Sequence, residues 1–290
     1  MAEKINTLGA YLRARRDAVT AEQAGISDEG VRRVPGLRRE EVAMLAGISA
    51  DYYLRLEQGK DRNPSVQVLE SIARVLGLDD DHRAHLLALG APVPRRNRRR
   101  PQPETVPDGV SKLLHSLTQP AFIEGRYFDI LASNHLAQSL DPALTVGRNQ
   151  LRDLFLDPGT QTAHPDWPAL TECLVASLRQ AVGTDIDDPR FIELTGELSL
   201  GSDRFRKLWA RHDVITLYGG TEVRIDHPEI GGLTVNRERL AIGGTNGLTL
   251  VVYHPDARSD SDEKLALLAS ARATAVRPDL ASAMNTLPTP

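Results

Sequence analysis

The sequence predicts two unlike parts, an all-α N-terminal part of five helices and an α+β C-terminal part. Three observations carry this. Up to residue 90, apolar residues recur at helical spacing, with no alternating strand-like run. Residues 91–109 hold five prolines and five arginines and offer no apolar face, the composition of an extended linker. Beyond it, two strand-like runs precede a series of helices and then a series of strands, an α+β order. A length of 290 residues suits two domains.

Leu8, Leu12 and Arg15 mark the first helix. The segment from Ala18 to Leu37 is broken by Gly25, Gly30, Pro35 and Gly36. Arg38–Ala46 is the second helix. Ser49 can cap a third from Ala50 to Gln58, which Gly59 ends. Ser65 precedes a fourth, with Leu69, Ile72, Ala73 and Leu76 on its apolar stripe and Gly77 at its close. Asp79–Leu89 is the fifth, with three aspartates at its positive end.

The second and third helices have helix-turn-helix spacing. Ala43 is small where two helices must cross. Gly47 permits a positive φ in the turn, Ile48 plugs it and Ser49 caps the third helix. Tyr53 and Leu56 face inward. Ala50, Asp51, Tyr52 and Arg55 then face outward, on the surface that enters a major groove.

The run from Gly36-Leu37-Arg38-Arg39-Glu40-Glu41-Val42-Ala43 through Arg55-Leu56-Glu57-Gln58-Gly59 resembles the Xre-type repressor family, which includes the lambdoid phage repressors. The resemblance spans residues 7–90. It implies a lambda-repressor-like fold that binds a double-stranded DNA operator. It also implies that Ala50, Asp51 and Arg55 occupy positions that read base edges. Arg39, with Arg38 beside it, falls where relatives grip phosphate, and Ser49, Tyr52 and Lys60 are further phosphate candidates. Arg55 can donate two bonds to guanine, worth about 1–3 kcal/mol of discrimination. Asp51 either accepts from a cytosine amine or simply favours the helix N-terminus. Ala50 offers a methyl group. Glu57 is expected to pair within the domain. The Ala18–Pro35 insertion departs from shorter relatives, and its Arg32 and Arg33 are candidates for backbone contact.

In the C-terminal part, Val110–Leu117 reads as a helix. Ala121–Glu124 and Tyr127–Leu131 read as a strand pair around Gly125-Arg126. Helical patterns occur at 151–156, 167–181, 189–198 and 203–212. Strands are expected at 214–217, 222–226, 233–236, 239–242 and 248–253, then a helix over 262–270 and a flexible tail over 271–290. The stretches Asn149–Pro158, Gly196–Ser199, Phe205–His212 and His227–Leu233 resemble the ligand-binding domain of MmyB-like regulators, over residues 110–270. That resemblance implies a PAS-like domain, a curved antiparallel sheet with helices around a pocket that can hold a fatty-acyl chain. Relatives often carry Trp after the second strand, where this chain has Ser133. Phe122, Ile130, Leu174, Leu178, Leu198, Phe205 and Trp209 are candidates to line the cavity, although apolar stripes of this kind also form plain core. Asn134, Arg206 and His212 are candidates for a carboxylate head group. The competing expectation is that Arg206 pairs at the surface and His212 caps a helix.

The domains expected are therefore 1–90, a linker over 91–109, 110–270 and a tail over 271–290. Net charge is -4 overall. Residues 1–100 carry 18 basic and 14 acidic side chains, but five of those arginines lie in residues 95–100. Charge alone therefore does not identify a nucleic-acid binder; the helix-turn-helix spacing does. A single cysteine, Cys173, excludes an internal disulfide and a multi-cysteine metal site, and its mid-helix setting predicts burial. Gly243–Gly247 lies between two strands and predicts a hairpin turn rather than a phosphate loop. No nucleophile elbow, Walker loop or metal-ligand spacing is present, so an enzyme is not expected, nor a cofactor beyond a bound apolar effector. The first residues lack an apolar signal core, and no apolar run is long enough to span a membrane, so a cytoplasmic protein is expected. The sequence thus predicts a homodimeric transcription regulator that binds operator DNA and a small apolar ligand. The alternative is a DNA-tethered module that recruits a protein such as RNA polymerase without a ligand.

Overall fold

The computed structural model describes residues 7–26, 34, 36–61, 63–91, 104–183, 185–217 and 219–276. Most of the expected linker, the tail from residue 277 and Arg32 and Arg33 of the insertion lie outside the described residues. By its contacts the chain forms two compact units. One comprises residues 1–101 with 172–216, the other 102–171 with 217–290.

The first unit opens with α1 (Thr7–Ala18), α2 (Arg39–Ala46), α3 (Ala50–Glu57), α4 (Val66–Val75) and α5 (Asp80–Gly90). Their ends obey local chemistry. Ser49 accepts from Tyr52 N, Ser65 from Val68 N and Asp79 from His82 N, each satisfying an otherwise orphaned first-turn amide. At α2 the Arg38 amide donates to Glu41 Oε2 at 2.6 Å. Gly47 sits at φ 70 in the turn between α2 and α3, where an L side chain would be strained. Gly36 is required for a different reason: a Cβ there would lie 2.5 Å from the Arg16 carbonyl oxygen. The helices close on Tyr11, Leu12, Leu37, Val42, Tyr53, Leu56, Ile72 and Leu86, all fully buried.

The second unit contains α6 (Asp108–Ser116), β1 (Ala121–Glu124), β2 (Ile130–Ser133), α7 (His135–Leu140), α8 (Gln150–Leu156) and α9 (Pro158–Ala163). Helix α10 (Trp167–Val182) comes next; from Glu172 onward it belongs to the first unit, as do α11 (Pro189–Gly201) and α12 (Asp203–Ala210). The chain then returns to the second unit with β3 (Thr221–His227), β4 (Gly231–Ala241), β5 (Thr249–His254) and α13 (Asp260–Val276). The five strands form one antiparallel sheet in the order β2-β1-β5-β4-β3. Period-two alternation sorts its side chains. Phe122, Val251, Tyr253 and Val235 pack with α7 and α13, whereas Ala121, Ile123 and Leu250 pack with α6.

The folds match the expectation of an all-α part and an α+β PAS-like part, with local corrections. The second strand begins at Ile130, not Tyr127, because Phe128 turns the chain at φ 67. Residues 214–217 form no strand; Thr216 bonds a side chain, Asp81, instead of a ladder partner. Two expected strands are one continuous β4, paired along its length with β3 and then β5. The last helix runs six residues further than expected, and α7 and α9 are additional. Gly243–Gly247 is the β4–β5 turn, with Gly244 and Gly247 at positive φ. Cys173 is half-buried.

Candidate functional site

Two features of the first unit can act on other molecules: the outer face of α3 and a cavity. Ala50, Asp51 and Arg55 are exposed on α3, and Ser49 and Lys60 are exposed at its ends; Tyr52 is half-buried. Arg55 Nη1 donates to Asp51 Oδ2 at 2.8 Å, and its guanidinium lies 5.6 Å from the Tyr52 ring centre. The side chains of that pair are 48% and 72% exposed. An exposed i,i+4 pair contributes only about 0.3–0.5 kcal/mol. It therefore presets Arg55 without preventing a stronger bidentate bond to a base.

Behind α3 lies an ion triad. Glu57 is 1% exposed. Its Oε1 accepts from Arg16 Nε and its Oε2 from Arg39 Nε, both at 2.7 Å. Glu57 thus has the expected internal role, whereas Arg39, expected at phosphate, spends its Nε on Glu57. Its side chain is 41% exposed, which leaves its other nitrogens accessible. Arg38 is exposed at the start of α2.

The cavity has a volume of about 450 Å³, within the range of small-molecule sites. Thr7, Ala10 and Tyr11 of α1 and His85 and Leu89 of α5 form one wall. Arg179 and Val182 of α10, Phe191, Ile192 and Gly196 of α11, and Trp209 with His212 form the other. The walls are joined by polar contacts. Arg15 of α1 donates to Asp213 Oδ1 at 2.7 Å, and Thr216 donates to both carboxylate oxygens of Asp81 on α5, at 2.9 and 2.7 Å. His212 is held at φ 54 between them.

The electrostatics of the cavity are set by burial. It pushes His85 and His212 down to about 4, with the Arg179 charge adding to the effect, so both rings are neutral near pH 7. It also pulls Arg179 down to about 10, still protonated. Tyr11 is raised by the same cause, and its hydroxyl hydrogen-bonds His82 Nδ1 at 2.7 Å.

The ten expected ligand residues do not converge. Phe122 and Ile130 lie in the core of the sheet unit, each 1% exposed. Asn134 caps α7: its Oδ1 accepts from Ala137 N and Ala121 N, and its Nδ2 donates to Gln119 O. These bonds hold the buried Asn134 amide as a local cap, away from the cavity described above. Leu174, Leu178, Leu198 and Phe205 are fully buried among α10–α12. Arg206 is exposed and pairs with Asp203. Only Trp209 and His212 of the ten line the cavity. Sequence reasoning missed Tyr11, His85 and Arg179. The available signal was an arginine on the Val175-Arg179-Val182 stripe of an otherwise apolar helix face.

Among the described residues no cluster of potential metal ligands occurs, and no helix is long and apolar enough to cross a membrane. Residues 7–86 match the sequence model of a helix-turn-helix domain. Residues 106–268 match that of the MmyB-like transcription regulator ligand binding domain. These families are regulatory, not enzymatic. No curated protein matches. Among solved structures, an RNA-binding Light-Oxygen-Voltage receptor is similar at 10% identity over 90% of this chain, with a TM-score of 0.25; the chain spans 64% of that receptor's length. A likeness this slight bears on neither fold nor function. The two family matches do: the chain belongs to the MmyB-like transcription regulators, and joins a helix-turn-helix DNA-binding domain to an MmyB-like ligand-binding domain.

Proposed function

We propose that the protein is a homodimeric regulator whose operator affinity responds to a small apolar ligand, a fatty acid among the candidates, bound in the 450 Å³ cavity. One observation carries this reading. Helices α10–α12 fall inside the matched ligand-binding region, yet in the first unit they wall a cavity whose opposite face is α1 and α5 of the DNA-binding domain. A ligand there touches the DNA-binding helices directly, so occupancy can change how they are held. Such coupling needs about 1–3 kcal/mol. An open cavity also supports a sensor over a ligand-free recruiting module.

In this reading Arg55 reads a guanine, Asp51 and Ala50 adjoin the base edges, and Arg38, Arg39, Ser49, Tyr52 and Lys60 meet phosphates. A second copy supplies the second half-site, since a single helix-turn-helix contacts one. Residues 1–90 bind DNA, 91–109 link and 110–270 sense.

Native mass spectrometry of gently purified full-length protein tests the ligand. The expected result is a dimer carrying a bound small molecule, or acquiring one when fatty acid is added, together with a shift in operator affinity. A monomer without adduct and without such a shift overturns the reading.

A further inference from the structure

Resting on the reading that the protein is a homodimer, we infer that two copies pair along β3, antiparallel about a two-fold axis at Val223, and so join their sheets edge to edge. β3 ends the strand order β2-β1-β5-β4-β3 and has β4 on one side. The opposite edge of the sheet is already closed. Ile130 N donates to the Arg148 carbonyl oxygen, Gly147 N donates to that of Ile130, and Asp129 bridges Asn149. β3 runs for seven residues and holds no proline and no lysine, residues that commonly block such an edge. An open strand of this kind is a template for pairing with another chain.

Two bonds show which backbone groups of β3 face outward. Thr234 stands opposite Arg224, yet its amide donates to Ser261 Oγ of α13 at 2.9 Å. Gly232 stands opposite Asp226, yet its carbonyl oxygen accepts from Lys264 Nζ at 2.9 Å. Both are therefore non-hydrogen-bonded positions of the β3–β4 ladder. By the alternation of an antiparallel pair, the amides and carbonyls of Glu222, Arg224 and Asp226 point away from β4. Helix α9 comes near β3, but among the described residues no hydrogen bond joins the two.

The side chains select the occupant and the register. Glu222, Arg224 and Asp226 are exposed and alternate in sign, whereas Val223 is half-buried and Ile225 is buried on the other face. A two-fold axis at Val223 sets Glu222 against Arg224 of the second copy, twice, and Val223 against its own copy. Opposite charges directly across two strands favour pairing, and like charges oppose it. An axis at Glu222 or at Arg224 sets that charge against itself. An axis at Ile225 sets Glu222 against Pro228, which has no amide to donate and begins the turn to β4. The edge is thus complementary in charge and in hydrogen bonding to a second copy of itself, in one register.

Cross-linking and sedimentation of the full chain test this. Facing residues at a non-hydrogen-bonded position have Cα atoms about 4.5 Å apart, within the span of a disulfide. In a Cys173→Ser background, Val223→Cys is therefore expected to give a covalent dimer on mild oxidation, and Ile225→Cys is not. Arg224→Glu turns two attractive pairs into two repulsive ones and should weaken the dimer about tenfold or more (~1.4 kcal/mol) in analytical ultracentrifugation. Glu222→Arg combined with Arg224→Glu restores opposite charges across the axis and should return the dimer to within about threefold of wild type. A dimer that forms no Val223→Cys cross-link and ignores Arg224→Glu overturns the β3 interface and leaves the homodimer reading standing. Cross-linking through Ile225→Cys in place of Val223→Cys overturns the register. A wild-type chain that sediments only as a monomer overturns the homodimer reading itself.

Discussion

Glu57→Gln is the sharpest probe of how the recognition helix is held. The substitution keeps the shape and removes the charge. In the wild type, Glu57 is the buried anion that joins Arg16 and Arg39, at 2.7 Å each. Arg16 is 7% exposed. Without Glu57 it keeps a bond to the Leu37 carbonyl oxygen at 2.7 Å and an ion pair with Asp17, whose side chain is 53% exposed. The new amide also turns an NH₂ toward one of two Nε–H donors that need an acceptor. Removing one partner of a buried ion pair typically costs about 3–5 kcal/mol, because the other charge stays buried. Urea titration measures this. Trp209 lies in the first unit, and the chain has two tryptophans, so Trp167→Phe leaves Trp209 as the reporter for that unit. The expected result is a midpoint lowered by an amount equivalent to about 3–5 kcal/mol, with weaker operator binding at temperatures where the unit is still folded. Replacing both charges, Arg16→Met with Glu57→Leu, should recover much of the loss. A loss below about 1 kcal/mol in Glu57→Gln would refute the argument, since the triad would then behave as an exposed pair.

Three further outcomes are expected. Arg55→Ala should weaken specific operator binding far more than random-sequence binding in a gel-shift titration, whereas Asp51→Ala should free Arg55, tighten random binding and reduce discrimination; equal losses on both DNAs for Arg55→Ala would assign it to phosphate. Gly196→Ala should stabilise the protein by up to about 1 kcal/mol through helix propensity, because a Cβ there meets nothing within 4 Å; a lower melting temperature would show that the α11 backbone is held in a way the structure does not record. Acidification should destabilise the first unit: His85 and His212 sit near 4 in the folded state and near 6.5 unfolded, so the unfolded chain binds more protons between those values. Their contribution is complete above about pH 6.5 and is lost as pH falls toward 4. A melting temperature unchanged between pH 7 and 5, or a slope that survives in His85→Gln/His212→Gln, would contradict this.

The sequence by itself determined the local elements and the family. Caps at Ser49, Ser65 and Asp79, the positive-φ glycine at 47 and the apolar stripes of the first five helices act within a few residues of their own position, so they are legible in a linear string. The same holds for the alternation in β5 and the turn at Gly243–Gly247. What the sequence did not determine was which helices face which. Arg179, Tyr11 and His85 are about 70 to 170 residues apart and meet only because α10–α12 fold with α1 and α5 rather than with the strands that flank them in the chain. Burial decided the rest. An asparagine that looked able to hold a carboxylate became a helix cap, and an arginine lost among apolar neighbours became part of the cavity wall, because desolvation depends on all surrounding elements and no local pattern encodes it.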